Sequence, residues 1–316
     1  MELGQSNQDV FAETLLELAM QDHNILVVTS DSRGSAKLVP FGQTLPDQII
    51  EVGIAEQNLV GVSAGLASAG KKVFAVSPAC FLTTRALEQI KNDVAYSDNP
   101  VKIVGISAGV SYGALGSTHH SLHDYAALRT INNIDIVAPA DNFETREAVQ
   151  AAINHPRPIY LRFGKKPMYH LHPLDTKFEI GRALTIHEGH DVTMIATGEP
   201  VTRALLAAQI LEKEDISCRV ISMHTLKPFD TETLLKAARE TRAIITVEEH
   251  SVCGGLGETC ASLLLRHRFC LPFQIVGIPD EYTVTGSQSE IFDHYGISAE
   301  GLAQTARQLL QMERQA

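Results

Sequence analysis

Apolar runs of strand length, rich in β-branched residues, alternate with stretches of helical period along most of the chain. In the first half the runs are ILVVTS, QIIEV, KVFAVS, VKIVGIS, DIVAPA and PIYLRF. Helix-like stretches lie between them around residues 8–21, 55–69, 82–96, 124–132 and 142–153. Near-continuous apolar strands separated by helices are the pattern of a mostly parallel sheet buried on both faces. The second half repeats it with DVTMIATG, RVISMH, AIITVEE and PFQIVGI, and with helices near 199–213, 231–240, 257–267 and 299–313. Ser287 and Glu290 supply a capping box for a further short helix at 287–295. Between the halves, GKKPMYHLHPLDTK (164–177) has two prolines, mixed charge and no period. The pattern predicts two doubly wound α/β domains, 1–165 and 178–316, joined by a linker at 166–177.

Charge narrows the class of partner. A net charge of −11 over 316 residues disfavours a nucleic-acid backbone or an anionic membrane surface, since both select a basic excess. No apolar run reaches the roughly 18 residues of a spanning helix, and MELGQSNQDVF has neither a basic nor an apolar leader region. A cytoplasmic protein is expected. The five cysteines form no CxxC pair, and their odd number fits reduced thiols better than a disulfide framework.

Glu56 falls where a strand-like run turns into a helix of small residues, EQNLVGVSAGLA. At that position alone a solvated first-turn glutamate, favoured by the helix dipole, is the simpler reading. A partly desolvated one, with raised pKa and able to share a proton, is the other. After the strand VKIVGIS comes SAGVSYGALGSTHHSLHD, a Gly- and Ser-rich loop where doubly wound sheets bind ligands, with His119, His120 and His123 at its far end. A zinc reading of His119 and His123 finds no HExxH and no nearby acid beyond Asp124. Phe81, between a strand and a helix, reads as core on its own. Gly255-x-Gly257-x-x-Cys260 imitates a dinucleotide fingerprint but lacks its third glycine and the acid that should follow.

Taken in order, EVGIAEQN, CFLTTR, GSTHH, IYLRFGK, LKPFD and EEHSVCGGLGE cover nearly the whole chain. This set resembles the C-terminal-half subunit of a split transketolase, and is close to the matching half of 1-deoxyxylulose-5-phosphate synthase. The resemblance implies a pyrimidine-binding domain followed by a transketolase C-terminal domain. It implies thiamine diphosphate as cofactor, with Glu56 bonding ring nitrogen N1′, Phe81 stacking on the aminopyrimidine and Asp31 in the same pocket. It makes His119 the substrate-side proton shuttle or hydroxyl clamp, puts Ser35 in the substrate site, and gives Arg162 the grip on an anionic tail, with Lys165 and Lys166 nearby. Three positions depart from the family pattern. Gln8 stands for a phosphate-binding arginine, Ser107 for a histidine and Leu115 for the aspartate that reads a donor hydroxyl, so the usual pentose-phosphate donors are in doubt.

The family holds Mg2+ and the diphosphate through a Gly-Asp-Gly motif and a later asparagine, and this sequence has no Gly-Asp-Gly. A partner, the N-terminal-half subunit, is therefore expected to carry both, with two copies of each subunit in the assembly. The EEHSVCGGLGE turn is expected to be structural and to mediate subunit contacts. The activity so implied is transfer of a two-carbon ketol unit from a ketose to an aldose, with a phosphate or sulfonate on the substrate. Alternatives are a subunit of a 2-oxo acid decarboxylating enzyme and a non-catalytic partner.

Overall fold

The computed structural model describes residues 1–173 and 176–313. Seven strands form the first sheet, in the order Thr225–Lys227, Asp135–Val137, Ile159–Arg162, Lys102–Ile106, Lys72–Pro78, Ile25–Thr29 and Ile49–Glu51. All neighbours run parallel except the first pair. Ile25–Thr29, Lys102–Ile106 and Ile159–Arg162 are buried along their whole length, as their unbroken apolar runs require. The second sheet runs Phe273–Ile278, Ala243–Ser251, Val192–Ala196, Cys218–Ser222 and Leu184–His187, parallel except for the last strand.

Two short strands cross the boundary drawn from sequence. Pro167–Tyr169 lies inside the expected linker, yet it pairs antiparallel with Leu3–Ser6 and turns Met168 inward. A proline is tolerated there because the pair is a two-stranded edge. Thr225–Lys227, from the second half, completes the first sheet by pairing with Asp135–Val137. Leu174 and Asp175, also in the expected linker, lie outside the described residues.

Helices follow the periodicity closely. Asp141 caps Asn142–Ile153 by accepting from Glu144 N–H, and Ser287 with Glu290 forms the expected capping box on Gln288–His294. The stretch 82–96 departs from expectation: it is broken into Ala79–Arg85, Leu87–Gln89 and a π-helical segment Ile90–Tyr96. One core cluster joins the halves, packing Tyr125, Leu128 and Ile136 of the first against Ile221, Met223 and Leu256 of the second. An apolar interface of this kind fixes the two halves to each other.

Backbone conformation singles out the carboxyl ends of the first sheet's strands. Asp31 and Ser107, just beyond Ile25–Thr29 and Lys102–Ile106, have φ of 53° and 51°, and Gly109 follows at 61°. Left-handed backbone at non-glycine residues is uncommon and gathers at ligand sites. Gly109 has a steric reason as well, because a Cβ there would run into the Glu249 carboxylate.

Candidate active site

Glu56 opens the helix Glu56–Ser68 and is 4% exposed, so it is not a solvated first-turn residue. Its Oε1 accepts from Arg85 Nη1 at 2.9 Å, a partner the periodicity does not suggest. Arg85 ends the helix Ala79–Arg85, one turn beyond Phe81, so the two side chains share a helix face. The guanidinium carbon lies 4.3 Å from the Phe81 ring centroid. On its other side Phe81 meets the His119 ring edge to face at 5.4 Å, and His119 meets Tyr112 in the same way at 5.6 Å. Lys165 Nζ lies 5.1 Å from the Tyr112 centroid. Glu56, Arg85, Phe81, His119, Tyr112 and Lys165 thus form one row of contacts, with an ion pair at one end, three rings in the middle and a cation at the other end.

The loop 107–123 carries His119 and is held at several points. Gly109 bridges to Ser121, Val110 N–H donates to Glu249 Oε1 at 2.9 Å, and Ser117 Oγ lies 3.0 Å from Thr283 Oγ1. His120 is buried, with Nδ1 2.6 Å from Thr283 Oγ1 and Nε2 3.0 Å from Gly113 O. Burial disfavours its charged form and lowers its pKa. It is held as a structural histidine, while the half-buried His119 ring beside it makes, among the described residues, one side-chain hydrogen bond, with Thr118 Oγ1 at 3.0 Å. Leu115 is 55% exposed at the same loop's mouth.

Three of the expected substrate residues converge on one amide. In the orientation its neighbours select, Gln8 Oε1 accepts from Ser107 N–H at 2.6 Å and Nε2 donates to Ser35 O at 3.1 Å. Gln8 and Ser107 are fully buried, which corrects the expectation of substrate contact: they brace the loop's start from beneath, and only Ser35 is exposed. Asp31 is exposed and donates its N–H to Glu51 Oε1 at 2.6 Å. Partial burial opposes ionisation of Glu51, but hydrogen bonds from Asp31, Thr29 and Gly53 and the Arg33 charge hold its pKa below the usual range.

Arg162 requires the largest correction. Its side chain is 5% exposed, with Nε donating to Asp124 Oδ2 at 2.7 Å and Nη2 to Glu249 O at 2.9 Å and Ser121 O at 3.2 Å. The guanidinium covers the Tyr125 ring at 4.5 Å. Three N–H bonds and the Tyr125 ring thus commit most of the guanidinium to the protein, and only Nη1, 3.9 Å from Glu249 Oε2, has no described hydrogen bond. Lys165, three residues on and exposed, is the cation that reaches the row. Behind Arg162, Gln288 Nε2 joins two carboxylates, donating to partly buried Glu199 at Oε2, 2.7 Å away, and to buried Glu249 at Oε1, 2.8 Å away. Burial and the charge of Glu249 push the Glu199 pKa up to about 8, and its Oε1 is shut off from solvent against Gly164.

The glycine turn 254–257 holds a protein carboxylate where a dinucleotide would put its phosphates. Glu248 accepts from Leu256 N–H at 2.7 Å and Gly257 N–H at 2.8 Å, and Arg129 binds Gly254 O and Gly255 O. Among the described residues no trio of His, Cys, Asp or Glu is assembled for a metal ion, no helix is long and apolar enough to cross a membrane, and the cysteines are free thiols.

The doubly wound fold thus brings a buried helix-start carboxylate, a half-buried phenylalanine and a loop histidine into one row. The transketolase pyrimidine-binding domain family matches residues 4–169, and the transketolase C-terminal domain family matches 181–302. The chain belongs to the transketolase family, whose members transfer ketol units and depend on thiamine diphosphate. In particular, it corresponds to the C-terminal-half subunit of a split transketolase. It is 50% identical over 297 residues to an apulose-4-phosphate transketolase subunit from Phocaeicola vulgatus, spanning 94% of this chain and 95% of the relative. It is 34% identical over 303 residues to 6-deoxy-6-sulfo-D-fructose transketolase subunit SqwH of Clostridium sp. strain MSTE9, spanning 96% and 94%. A solved structure described as a split gene transketolase, inactive beta4 tetramer, matches with a TM-score of 0.88 at 36% identity, covering 98% of this chain and all of that one.

The residues present fit the aminopyrimidine end of that cofactor. A flat, N–H-bearing group, the Arg85 guanidinium, already lies on Phe81 and donates to Glu56, which is the pair of contacts such a ring makes.

Proposed function

We propose that this chain supplies the pyrimidine side of a heteromeric transketolase acting on a substrate with an anionic group. Glu56 offers its carboxylate to ring nitrogen N1′, and Phe81 offers the stacking face. Bound thiamine diphosphate would supply the nucleophilic carbon; this chain supplies orientation and proton control. His119, between the Phe81 and Tyr112 edges, handles a substrate hydroxyl proton, and Asp31 and Ser35 rim the pocket. With Arg162 buried and largely committed to the protein, exposed Lys165 takes the anionic group. The relatives named for apulose-4-phosphate and 6-deoxy-6-sulfo-D-fructose both carry anionic substrates in their names, which supports this reading. The observation that carries it is the single row from Glu56 to Lys165.

Mg2+ and the diphosphate fall to an N-terminal-half partner bearing Gly-Asp-Gly, with two copies of each subunit. The test is reconstitution. The chain alone, with magnesium and thiamine diphosphate, should be inert, and ketol transfer should appear on mixing with the partner. Glu56→Gln should abolish turnover of the mixture while leaving far-ultraviolet circular dichroism unchanged. Near-normal turnover in that variant would sink the assignment. Exposed Leu115, where the family places a hydroxyl-reading aspartate, favours a donor lacking that hydroxyl. Carbon dioxide release from a 2-oxo acid would shift the reading to a decarboxylating enzyme.

A further inference from the structure

Arg85 has no catalytic role in the proposed chemistry, yet it makes both contacts on which the pyrimidine side rests. Its Nη1 donates to Glu56 at 2.9 Å, and its guanidinium covers Phe81 at 4.3 Å. A guanidinium is planar, delocalised and edged with N–H donors, so it presents to these two residues the same plane and donor as an aminopyrimidine ring. Arginine and ring cannot occupy one face of Phe81 together, and they compete for Glu56 at Oε1, the oxygen that Arg85 holds. Exposure decides which can move: the Arg85 side chain is 50% exposed and that of Glu56 only 5%.

We propose that Arg85 is a resident placeholder of the cofactor pocket. In the unloaded chain it neutralises Glu56 and covers Phe81, and it swings into solvent when the ring enters. A subunit that must exist before its partner docks would otherwise hold this carboxylate with no counter-charge, at a cost that solvent around the half-exposed pair keeps modest. Cofactor entry then becomes a competition, and the pocket's apparent affinity is reduced by the fraction of chains in which Arg85 is in place. The inference rests on the thiamine-diphosphate reading of the pocket.

Arg85→Met keeps the apolar stem and removes the plane and the charge. Two measurements test it. On the chain alone, urea unfolding of Arg85→Met, Glu56→Gln and the double variant should show coupling, with the Arg85→Met loss shrinking once Glu56 is neutral. On the chain reconstituted with its partner and magnesium, rapid filtration with radiolabelled thiamine diphosphate should show about fivefold or greater acceleration of association, with dissociation unchanged. Arg85→Lys, which keeps the charge but cannot cover the ring, should lie between. Unchanged association, or faster dissociation, in Arg85→Met would overturn the placeholder by showing that Arg85 is idle or stays as a ligand of the bound cofactor. Failure of the wild-type pair to bind thiamine diphosphate at all would overturn the reading of the pocket, and the placeholder with it.

Discussion

Arg85 and Arg162 make the same local arrangement in two settings. Each lies over an aromatic ring, Phe81 at 4.3 Å and Tyr125 at 4.5 Å, and each pairs with a buried carboxylate, Glu56 at 2.9 Å and Asp124 at 2.7 Å. Arg85 is half exposed and has no other bond to the protein besides these among the hydrogen bonds described, whereas Arg162 is 5% exposed and also donates to two backbone carbonyls. Charge and chemistry are therefore shared, and what differs is how many of the guanidinium's donors the fold has already used. A charge with spare donors at an opening can meet a ligand. A buried one with most of its donors used holds architecture, here the strand Ile159–Arg162, the helix Asp124–Arg129 and the loop anchored by Glu249.

The largest expected effect tests that division directly. Arg162→Ala leaves Asp124 and Glu249 buried without their counter-charge, and breaking such a pair costs about 3–5 kcal/mol. Arg85→Met, at a half-exposed pair, should cost on the order of 1 kcal/mol. Urea unfolding of the two purified variants compares them. A larger loss from Arg85→Met would mean that exposure does not separate the two arrangements. The Arg162 pair also predicts acid sensitivity. Burial opposes ionisation of Asp124, but the Arg162 charge overrides it and lowers the pKa, so the stability it confers is present at neutral pH and lost as pH falls through the folded value.

The buried cluster behaves oppositely at its other end. Burial first, then the charge of Glu249, raises Glu199 to about 8, whereas an unfolded glutamate ionises near 4.3. The folded chain thus holds a proton that the unfolded chain has released between those values. Stability should fall as pH rises across that window and level off above it. Glu199→Gln should flatten the fall between pH 5 and 8 and exceed wild type above pH 8, measured as urea midpoints in a pH series. Glu248, raised to about 7 mainly by burial, and Glu249, raised for the same first reason, remain in the variant, so some slope persists. A slope as steep as wild type would put the proton elsewhere than on Glu199.

The same contrast explains what can be read from the sequence. The buried strands and most helices are legible because each spans enough residues for its period to show. Pro167–Tyr169 and Thr225–Lys227 are not, since three residues carry no measurable alternation and their pairing partners lie far off in the chain. In the candidate site, motif order points to Glu56, Phe81 and His119, and the fold brings the last two within 5.4 Å. The bond from Arg85 to Glu56 carries no such signal, and neither do the roles of Tyr112 and Lys165, because these contacts arise only when segments distant in the chain meet. Arg162 is given a substrate role by the motif, although a signal for an internal role is present as well. It ends the apolar run PIYLRF, which sits as a central parallel strand, and a charge on a strand buried on both faces must be satisfied by the protein itself. Lys165 lies past the strand's carboxyl end, where doubly wound sheets place their ligands.

The smallest expected effect on stability should be the most selective on substrate. Lys165 is exposed, and its one described contact is over the Tyr112 ring, worth about 0.5–1 kcal/mol at an exposed site. Lys165→Ala should therefore leave the urea midpoint nearly unmoved. If Lys165 grips the anionic group, the variant loses a charge-assisted contact worth about 1.5–3 kcal/mol, which corresponds to roughly a ten- to hundredfold rise in KM for a phosphorylated or sulfonated substrate. A neutral analogue should show little change, because it never engaged the cation. Lys165→Arg should restore most of the charged-substrate affinity, since a guanidinium can reach the same anion. Equal losses on charged and neutral substrates in the reconstituted enzyme would place the anion's partner elsewhere, and Lys165 would be only a cover for Tyr112.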